Sequence, residues 1–214
     1  VGRIGKPHGL RCEVTVDGTV RDHGAPVWVP EGAELRLGGA LDGVRSWLAV
    51  AGGVDVAPVL GSRSTDTLAW VGPPRVQAPM VLPLGRPQGA PAPVDVPAPA
   101  AGGPLRLLPG PRADWFDEEA LHLLCSAPYT VTAASNRVGL RLEGPRLERH
   151  RSDELPSEGL VLGAVQVPPD GLPVVFLADH PTTGGYPVVA VVARADLGRA
   201  AQLAPGDPVR FARG

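Results

Sequence analysis

Glycine and proline place the tightest limit on what this chain can fold into. Its 214 residues include 28 glycines and 26 prolines, about a quarter of the total. Proline interrupts helices and glycine permits tight turns, so a chain punctuated this densely cannot form long helices. Because these residues separate short apolar runs, we predict a mainly β fold with one or two short helices and barrel-like sheets.

The charge balance and the hydropathy pattern argue against two classes of partner. Twenty Lys and Arg residues stand against 22 Asp and Glu residues, a net charge of −2 at pH 7. Nucleic-acid-binding proteins carry a marked positive charge, so we expect no nucleic-acid partner. No apolar run approaches the roughly 18 residues of a membrane helix, so we expect no membrane partner. Two cysteines do not make a disulfide framework, and two reduced thiols are typical of a cytoplasmic protein, so we expect a cytoplasmic location.

The scarcity of three residue types restricts cofactor chemistry. Lys6 is the only lysine and Met80 the only methionine, so the adjacent pair that a biotin carrier needs is missing. We therefore expect no biotin attached to this chain and no other covalently bound cofactor. Cys12 and Cys125 are the only cysteines, and neither has a second cysteine or a histidine at metal-ligand spacing, which predicts no metal site.

A proline- and alanine-rich stretch divides the chain. Residues 85–103 carry almost no charge, a composition typical of a semi-extended linker. We predict an N-terminal subdomain over 1–88, a linker over 89–104 and a C-terminal subdomain over 105–214.

One substantial helix is predicted, in the second subdomain. Asp114 is suited to cap its N-terminus, and Phe116, Leu121 and Leu124 share one face, which predicts a helix over 114–124 that ends before Pro128. Strands are predicted where short apolar runs lie between turn residues, namely at 12–16, 26–29, 34–37, 44–51, 105–108, 129–132, 138–142, 160–167, 174–178, 188–192 and 209–211, with a second short helix at 196–201.

Four segments place polar side chains where an apolar strand should continue or turn. In the first, Arg63 either binds a ligand or is tied to Asp55 or Asp66 in a capped turn. In the second, Asn136 and Arg137 either present amide and guanidinium groups to a ligand or form an Asx-type turn with an ion pair.

The third and fourth segments carry the remaining candidates. In the third, Glu158 and Gln166 either point into a barrel mouth or belong to a turn and the surface. The fourth segment follows an apolar strand and contains a carboxylate, an imidazole, two hydroxyls, two glycines and a phenol. It is either a functional site or a polar loop in which the carboxylate caps its own turn. A carboxylate beside a histidine can set its tautomer, and paired glycines expose N–H groups to an anion. These residues are Asp179, His180, Thr182, Thr183, Gly184, Gly185 and Tyr186.

Seven runs of residues resemble the biotin-dependent carboxyltransferase family, also described as allophanate hydrolase subunit 2. They are LAVAGGVD (48–55), PVLGSRST (58–65), LPGPR (108–112), SNRVG (135–139), LPSEG (155–159), QVPPDG (166–171) and DHPTTGGYP (179–187). The resemblance extends from about residue 10 to the end of the chain. It implies cyclophilin-like β-barrel lobes, with an N-terminal lobe that is incomplete here.

The resemblance also implies an enzyme subunit that acts with partners. Members include the third subunit of bacterial 5-oxoprolinase, which hydrolyses a lactam with ATP, and the carboxyltransferase part of urea carboxylase. We therefore expect a 5-oxoprolinase-type hydrolase subunit that acts on a small amide or lactam, with an allophanate hydrolase subunit 1-like partner, an amidohydrolase subunit and ATP bound in the complex. Two alternatives stay open: carboxyl transfer from carboxybiotin on another chain, and a non-catalytic protein that binds a kinase inhibitor.

The resemblance gives roles to the candidate residues, which we expect to converge at one barrel mouth. The candidate catalytic residues have two roles. Asn136 and Gln166 would bind the substrate C=O and N–H groups through their side-chain amides, and Asp179 or His180 would relay a proton. The candidate substrate-binding groups are Arg63, Arg137, Glu158, Thr182, Thr183, Gly184, Gly185 and Tyr186.

Overall fold

The protein divides into two compact units. The computed structural model describes residues 3–5, 11–21, 25–89, 102–151 and 153–214. The first unit is Val1–Ala98 and the second is Pro99–Gly214, and most contacts lie within a unit. Most of the predicted linker, residues 90–101, lies outside the described residues, so the predicted subdomain boundaries stay a prediction.

The first unit contains two small sheets. Strands β1 to β6 span Arg3–Gly5, Arg11–Val16, Thr19–Arg21, Val27–Trp28, Leu35–Asp42 and Ala49–Val50. They form two three-stranded sheets, in the orders β4-β1-β6 and β3-β2-β5. The predicted strand over 44–51 is wrong for most of its length, because β1 is only three residues long and, within 44–51, pairs only with Ala49 and Val50.

A long segment without regular strands, 51–89, follows the sheets of the first unit. Its two ends are held together by a bridge between Val54 and Leu84. Gly52 has a φ of +87°, and a Cβ atom there would lie 2.0 Å from the carbonyl oxygen of Gly85. Glycine is therefore required at Gly52, because the backbone at Gly85 approaches it more closely than any side chain permits.

The second unit is a rolled sheet with two short helices. Strands β7 to β16 span Leu105–Pro109, Tyr129–Val131, Gly139–Glu143, Glu158–Gly159, Ala164–Gln166, Val174–Phe176, Thr183–Gly184, Val188–Val192, Pro208–Val209 and Phe211–Arg213. Helices α1 and α2 span Glu118–Ser126 and Leu197–Ala200, after 3₁₀ turns at Ala113–Trp115 and Arg194–Asp196.

Eight of these strands form one sheet whose edges are neighbours in sequence. The order is β15-β8-β9-β12-β11-β14-β7-β16. The outermost strands, β15 and β16, are separated by Arg210 alone. Because consecutive Cα atoms are about 3.8 Å apart, the two edges of the sheet must come close together, and the sheet is a nearly closed barrel. The predicted mainly β class with barrel-like sheets and two short helices is confirmed.

The barrel sheet carries apolar residues on both faces. All eight strands contribute to the larger hydrophobic cluster, which also contains Ala120 and Leu124 of α1 and occupies the barrel interior. A second cluster, called here the outer cluster, consists of Leu160, Ala164, Val174, Phe176 and Val188. Neighbouring residues in β11 and β12 alternate between the two clusters, as the two-residue period of a strand requires.

Two elements of the second unit differ from the sequence prediction. Asp114 does not cap the helix; it lies in the 3₁₀ turn, and α1 begins after Asp117, whose Oδ1 accepts a hydrogen bond from Ala120 N at 2.7 Å. Phe116 between them is extended and buried in the interior cluster, which interrupts the helix. The predicted strand 160–167 shortens to β11, because Gly163, with a φ of +87°, lies in a turn.

Tyr129 offers a test of the barrel interior. Its side chain is buried, and its hydroxyl makes no hydrogen bond with any described residue. Burial raises the pKa of Tyr129 to about 12, with a smaller contribution from Cys125. Because a buried hydroxyl without a partner costs free energy, we expect Tyr129→Phe to keep the free energy of unfolding or raise it by up to about 1 kcal/mol in urea titrations.

The control for this test is Tyr129→Leu. That variant also removes the hydroxyl, but it loses the edge-on contact with the Phe211 ring, whose centroid lies 5.9 Å away. We expect it to lower the free energy of unfolding by about 1–3 kcal/mol. A Phe variant as destabilised as the Leu variant would mean that the hydroxyl has a partner in solution.

Candidate functional site

Gln166 is a polar side chain set into the outer cluster. It pairs in register with Val174 and Val188, both members of that cluster, and it is 5% exposed. The predicted position in a barrel mouth is therefore wrong, because Gln166 belongs to the outer face of the sheet. Its Nε2 donates a hydrogen bond to the Tyr186 carbonyl at 2.9 Å, and no described residue donates to its Oε1. The amide thus has an engaged donor and an available acceptor.

Strands β10 and β13 form a short antiparallel pair, called here the polar ribbon, beside the Gln166 amide. Glu158 faces Gly184 across the ribbon, and Leu160 N donates to the carbonyl oxygen of the residue before β13 at 2.9 Å. A Cβ atom on Gly184 would lie 2.7 Å from Gln166 Nε2. The ribbon backbone therefore lies close beside the amide, and only glycine leaves room for this approach.

Arg112 is a member of the site that the sequence prediction missed. Its Nε donates to Glu158 Oε2 at 3.0 Å and its Nη2 donates to Glu158 Oε1, a bidentate pair in which each side chain is about one-third exposed. The Arg112 hydrogen bonds hold the pKa of Glu158 below its ordinary value. Glu158 is therefore an ionised carboxylate with both oxygens engaged, which leaves it unsuited to accept a proton from a substrate.

Asp179 and His180 do not form the pair that the sequence suggested. The Asp179 carboxylate binds Arg137, with Oδ2 3.0 Å from Nε, and its backbone N donates to the Arg137 carbonyl. His180 Nδ1 lies 2.8 Å from the Pro181 carbonyl oxygen. Because a carbonyl only accepts, Nδ1 carries the proton, and Nε2 of the neutral imidazole is the acceptor. The backbone, rather than Asp179, sets this tautomer.

Asn136 forms the Asx-type turn that the sequence allowed as one alternative. Its Oδ1 accepts a hydrogen bond from Val138 N at 2.8 Å, which leaves its NH₂ group as a donor. The side chain is exposed. Asn136 therefore presents a hydrogen-bond donor, its NH₂ group, whereas Gln166 presents an acceptor, Oε1.

Three of the polar segments meet around the outer cluster. Val138, next to Arg137, packs against the cluster, and Leu160, which follows β10, belongs to it. The ring of Phe176, another member, contacts the His180 ring at 6.4 Å between centroids. Val188 follows the fourth segment, so all of these segments border one apolar patch. Its exposed rim includes Thr182, Thr183, Gly185 and the half-exposed Tyr186.

Arg63 belongs to the first unit. Its Nε donates to the Val56 carbonyl at 2.8 Å, and its Nη2 lies 3.1 Å from Asp55 Oδ1. This is the capped-turn arrangement with Asp55 that the sequence allowed, and about half of the Arg63 side chain remains exposed.

The described residues contain neither a cluster of metal ligands nor a membrane-spanning helix. No three His, Cys, Asp or Glu side chains among the described residues form a group that could hold a metal ion. In the same part of the chain, no helix has the length and apolar character needed to cross a membrane.

Comparison with known proteins decides the family. Residues 7–213 match the carboxyltransferase domain, subdomain A and B. The chain belongs to this family. The family predicted from the sequence is therefore confirmed, and the match extends through both units of the structure.

Relatives of this chain include subunits of 5-oxoprolinase and urea amidolyases. The chain is 37% identical to a subunit of the 5-oxoprolinase of Escherichia coli over 209 residues, which cover 95% of this chain and 67% of that protein. It is 32% identical to the same subunit from Haemophilus influenzae, over a match that covers 86% of this chain and 60% of that protein. Urea amidolyase of Saccharomyces cerevisiae is 32% identical, with 92% of this chain and 12% of that protein covered.

Solved structures show the same carboxyltransferase fold. The urea amidolyase of K. lactis superposes with a TM-score of 0.85 at 28% identity, covering 99% of this chain and 14% of that one. The protein TTHA0988 superposes with a TM-score of 0.83 at 38% identity, covering 99% of this chain and 42% of that one. The chain thus spans at most about two-thirds of the length of these relatives.

Proposed function

We propose that this chain is a subunit of an ATP-dependent lactam hydrolase of the 5-oxoprolinase type. The observation that carries the proposal is the 37% identity to the E. coli 5-oxoprolinase subunit over 95% of the chain. A protein named as a subunit acts with other chains, so the proposal includes partner subunits. We assign ATP to the assembled complex, because this sequence has no glycine-rich phosphate loop followed by lysine.

The geometry of the polar segments supports an amide-type substrate. Hydrolysis of a lactam needs an acceptor for the ring N–H, a cation or donor for developing negative charge, and a group that moves a proton to the departing nitrogen. Gln166 Oε1 is suited to the first role and Arg137 to the second. His180 is suited to the third role, because its Nε2 can take a proton from the attacking water and pass it to the departing nitrogen. Glu158 has no part in proton transfer, because Arg112 engages both of its oxygens.

Reconstitution tests the proposal. We expect a mixture of this chain with the companion subunits of 5-oxoprolinase to convert 5-oxoproline to glutamate in the presence of ATP, measured as glutamate released. Omission of this chain should lower the rate at least about 100-fold, the scale of losing a catalytic component. A rate that is the same with and without the chain would refute a catalytic contribution.

Carboxyl transfer is the second candidate, and the urea amidolyase comparisons favour it. The superposition on the K. lactis enzyme reaches a TM-score of 0.85, and the S. cerevisiae enzyme is 32% identical. The chain lacks the lysine for its own biotin, so this candidate requires carboxybiotin on another protein. Transfer of labelled carboxyl from a carboxylated carrier to urea, with no lactam hydrolysis, would select it over the hydrolase.

A further inference from the structure

The backbone around Arg112 is fixed beside the barrel strand β14. Arg112 N donates to the Val188 carbonyl at 3.0 Å, and Gly110 N donates to the Val189 carbonyl at 3.0 Å. A Cβ atom on Gly110 would lie 2.3 Å from the Val188 oxygen. This close approach, which only glycine allows, anchors Arg112 to the sheet before its side chain reaches the polar ribbon.

The polar ribbon is too small to hold its own position. Each of its strands has two residues, and an isolated two-stranded pair is at best marginally stable in water. Leu160 attaches one end of the ribbon to the outer cluster. The bidentate bonds from Arg112 to Glu158 attach it to the segment that follows β7. Loss of the ion pair would therefore leave the ribbon held mainly through Leu160.

The position of the ribbon controls the orientation of the Gln166 amide. Gly184, opposite Glu158 in the ribbon, lies so close to Gln166 Nε2 that a Cβ atom there would clash with it. The same nitrogen, Nε2, donates to the Tyr186 carbonyl. A ribbon held in place therefore keeps Nε2 toward the backbone and leaves Oε1 as the acceptor, whereas a displaced ribbon would let the amide rotate.

We propose that Arg112 is a positioning residue: through its ion pair with Glu158 it holds the polar ribbon against Gln166, so that Gln166 Oε1 accepts a hydrogen bond from the N–H of a cyclic amide substrate. This role rests on the proposed function. It makes the site selective for lactams over lactones of the same ring, because a lactone has no N–H and leaves the acceptor unpaired.

The first test measures positioning without any activity. In the full chain, Arg112→Gln should speed hydrogen exchange of the Leu160 amide and of the Gln166 side-chain amide at least about tenfold. Glu158→Gln should have the same effect, and the double variant should be no worse than either single variant. The control is the Val131 backbone amide, which donates to the Asp207 carbonyl at 3.0 Å on another part of the barrel. Its exchange rate should not change.

The second test measures selectivity in the reconstituted complex. We expect Arg112→Gln to lower the ratio of kcat/KM for 5-oxoproline to that for the matching five-membered lactone about tenfold, mainly through a higher KM for the lactam. Arg112→Lys, which keeps the charge but loses the bidentate geometry, should recover part of the ratio. Arg213→Gln removes an exposed ion pair with Glu118 at 2.8 Å and serves as the matched control with an unchanged ratio.

The outcomes separate this inference from the proposed function. Unchanged exchange at Leu160 and Gln166 in Arg112→Gln would overturn the positioning role whatever the activity. Faster exchange with an unchanged lactam-to-lactone ratio would overturn the link to substrate selectivity. A wild-type complex without lactam hydrolysis would refute the proposed function and the selectivity with it, while the exchange result would still decide whether Arg112 positions the ribbon.

Discussion

Gln166→Met should lower kcat/KM for 5-oxoproline roughly 30- to 100-fold in the reconstituted complex. The substitution keeps the length of a side chain that is 5% exposed, but it removes the Oε1 acceptor and the hydrogen bond from Nε2 to the Tyr186 carbonyl. A neutral hydrogen bond contributes only about 1 kcal/mol, which alone would be a fivefold effect. The larger expected loss arises because the substrate N–H would then be desolvated without a partner.

Control measurements separate a loss of recognition from a loss of fold. The free energy of unfolding of Gln166→Met should fall by no more than about 1 kcal/mol, the value of the lost bond to the Tyr186 carbonyl. Gln202→Met makes the same change after α2, apart from the polar segments, and should keep full activity. If Gln166→Met retains wild-type kcat/KM, Gln166 does not contact the substrate, and the assignment of the outer cluster as the site fails.

Local patterns explain why the barrel strands were predictable. The apolar run of β14 was predicted with both of its ends, since every residue in it is apolar and a run that contains glycine and proline precedes it. In β7, exposure alternates in the way expected for a strand with one buried face. The start of α1 was predicted wrongly because Asp114 and Asp117 are both suitable caps. The choice between them depends on the burial of Phe116 in the barrel interior, a tertiary contact.

The candidate site depends on contacts that the sequence does not encode locally. Glu158 and Arg112 are 46 positions apart, and nothing near either residue indicates the other as its partner. The resemblance did include the run that contains Arg112, which was the available signal for its importance. The direction of the Gln166 amide depends on a carbonyl 20 positions away that β-pairing brings near, so sequence alone left the donor and acceptor roles open. By contrast, the turn at Asn136 is local and was predicted as an alternative.

Asp196→Ala should lower the free energy of unfolding by about 2–3 kcal/mol. The Asp196 carboxylate is buried and accepts from Arg106 three times: from the backbone N at 2.9 Å, from Nε at 2.9 Å and from Nη2 at 3.3 Å. Arg199 Nη2 also lies 3.6 Å from Asp196 Oδ1. Alanine would leave the Arg106 amide of β7 without its acceptor and the largely buried Arg199 guanidinium without the nearby negative charge. Chemical denaturation would measure the loss, with exposed Asp114→Ala, expected within about 0.5 kcal/mol of wild type, as the control.

The same carboxylate should make stability fall in acid within a defined window. Hydrogen bonds from the Arg106 side chain, then from its backbone, lower the pKa of Asp196 from 3.8 to about 2. An acid with a lowered folded pKa contributes its stability above its unfolded pKa and loses it as the pH falls toward the folded value. Wild type should therefore lose about 2 kcal/mol more between pH 4 and pH 2 than Asp196→Asn, which has no carboxylate to protonate. Parallel stability curves for the two proteins over that range would show that the Arg106–Asp196 bond does not persist in solution.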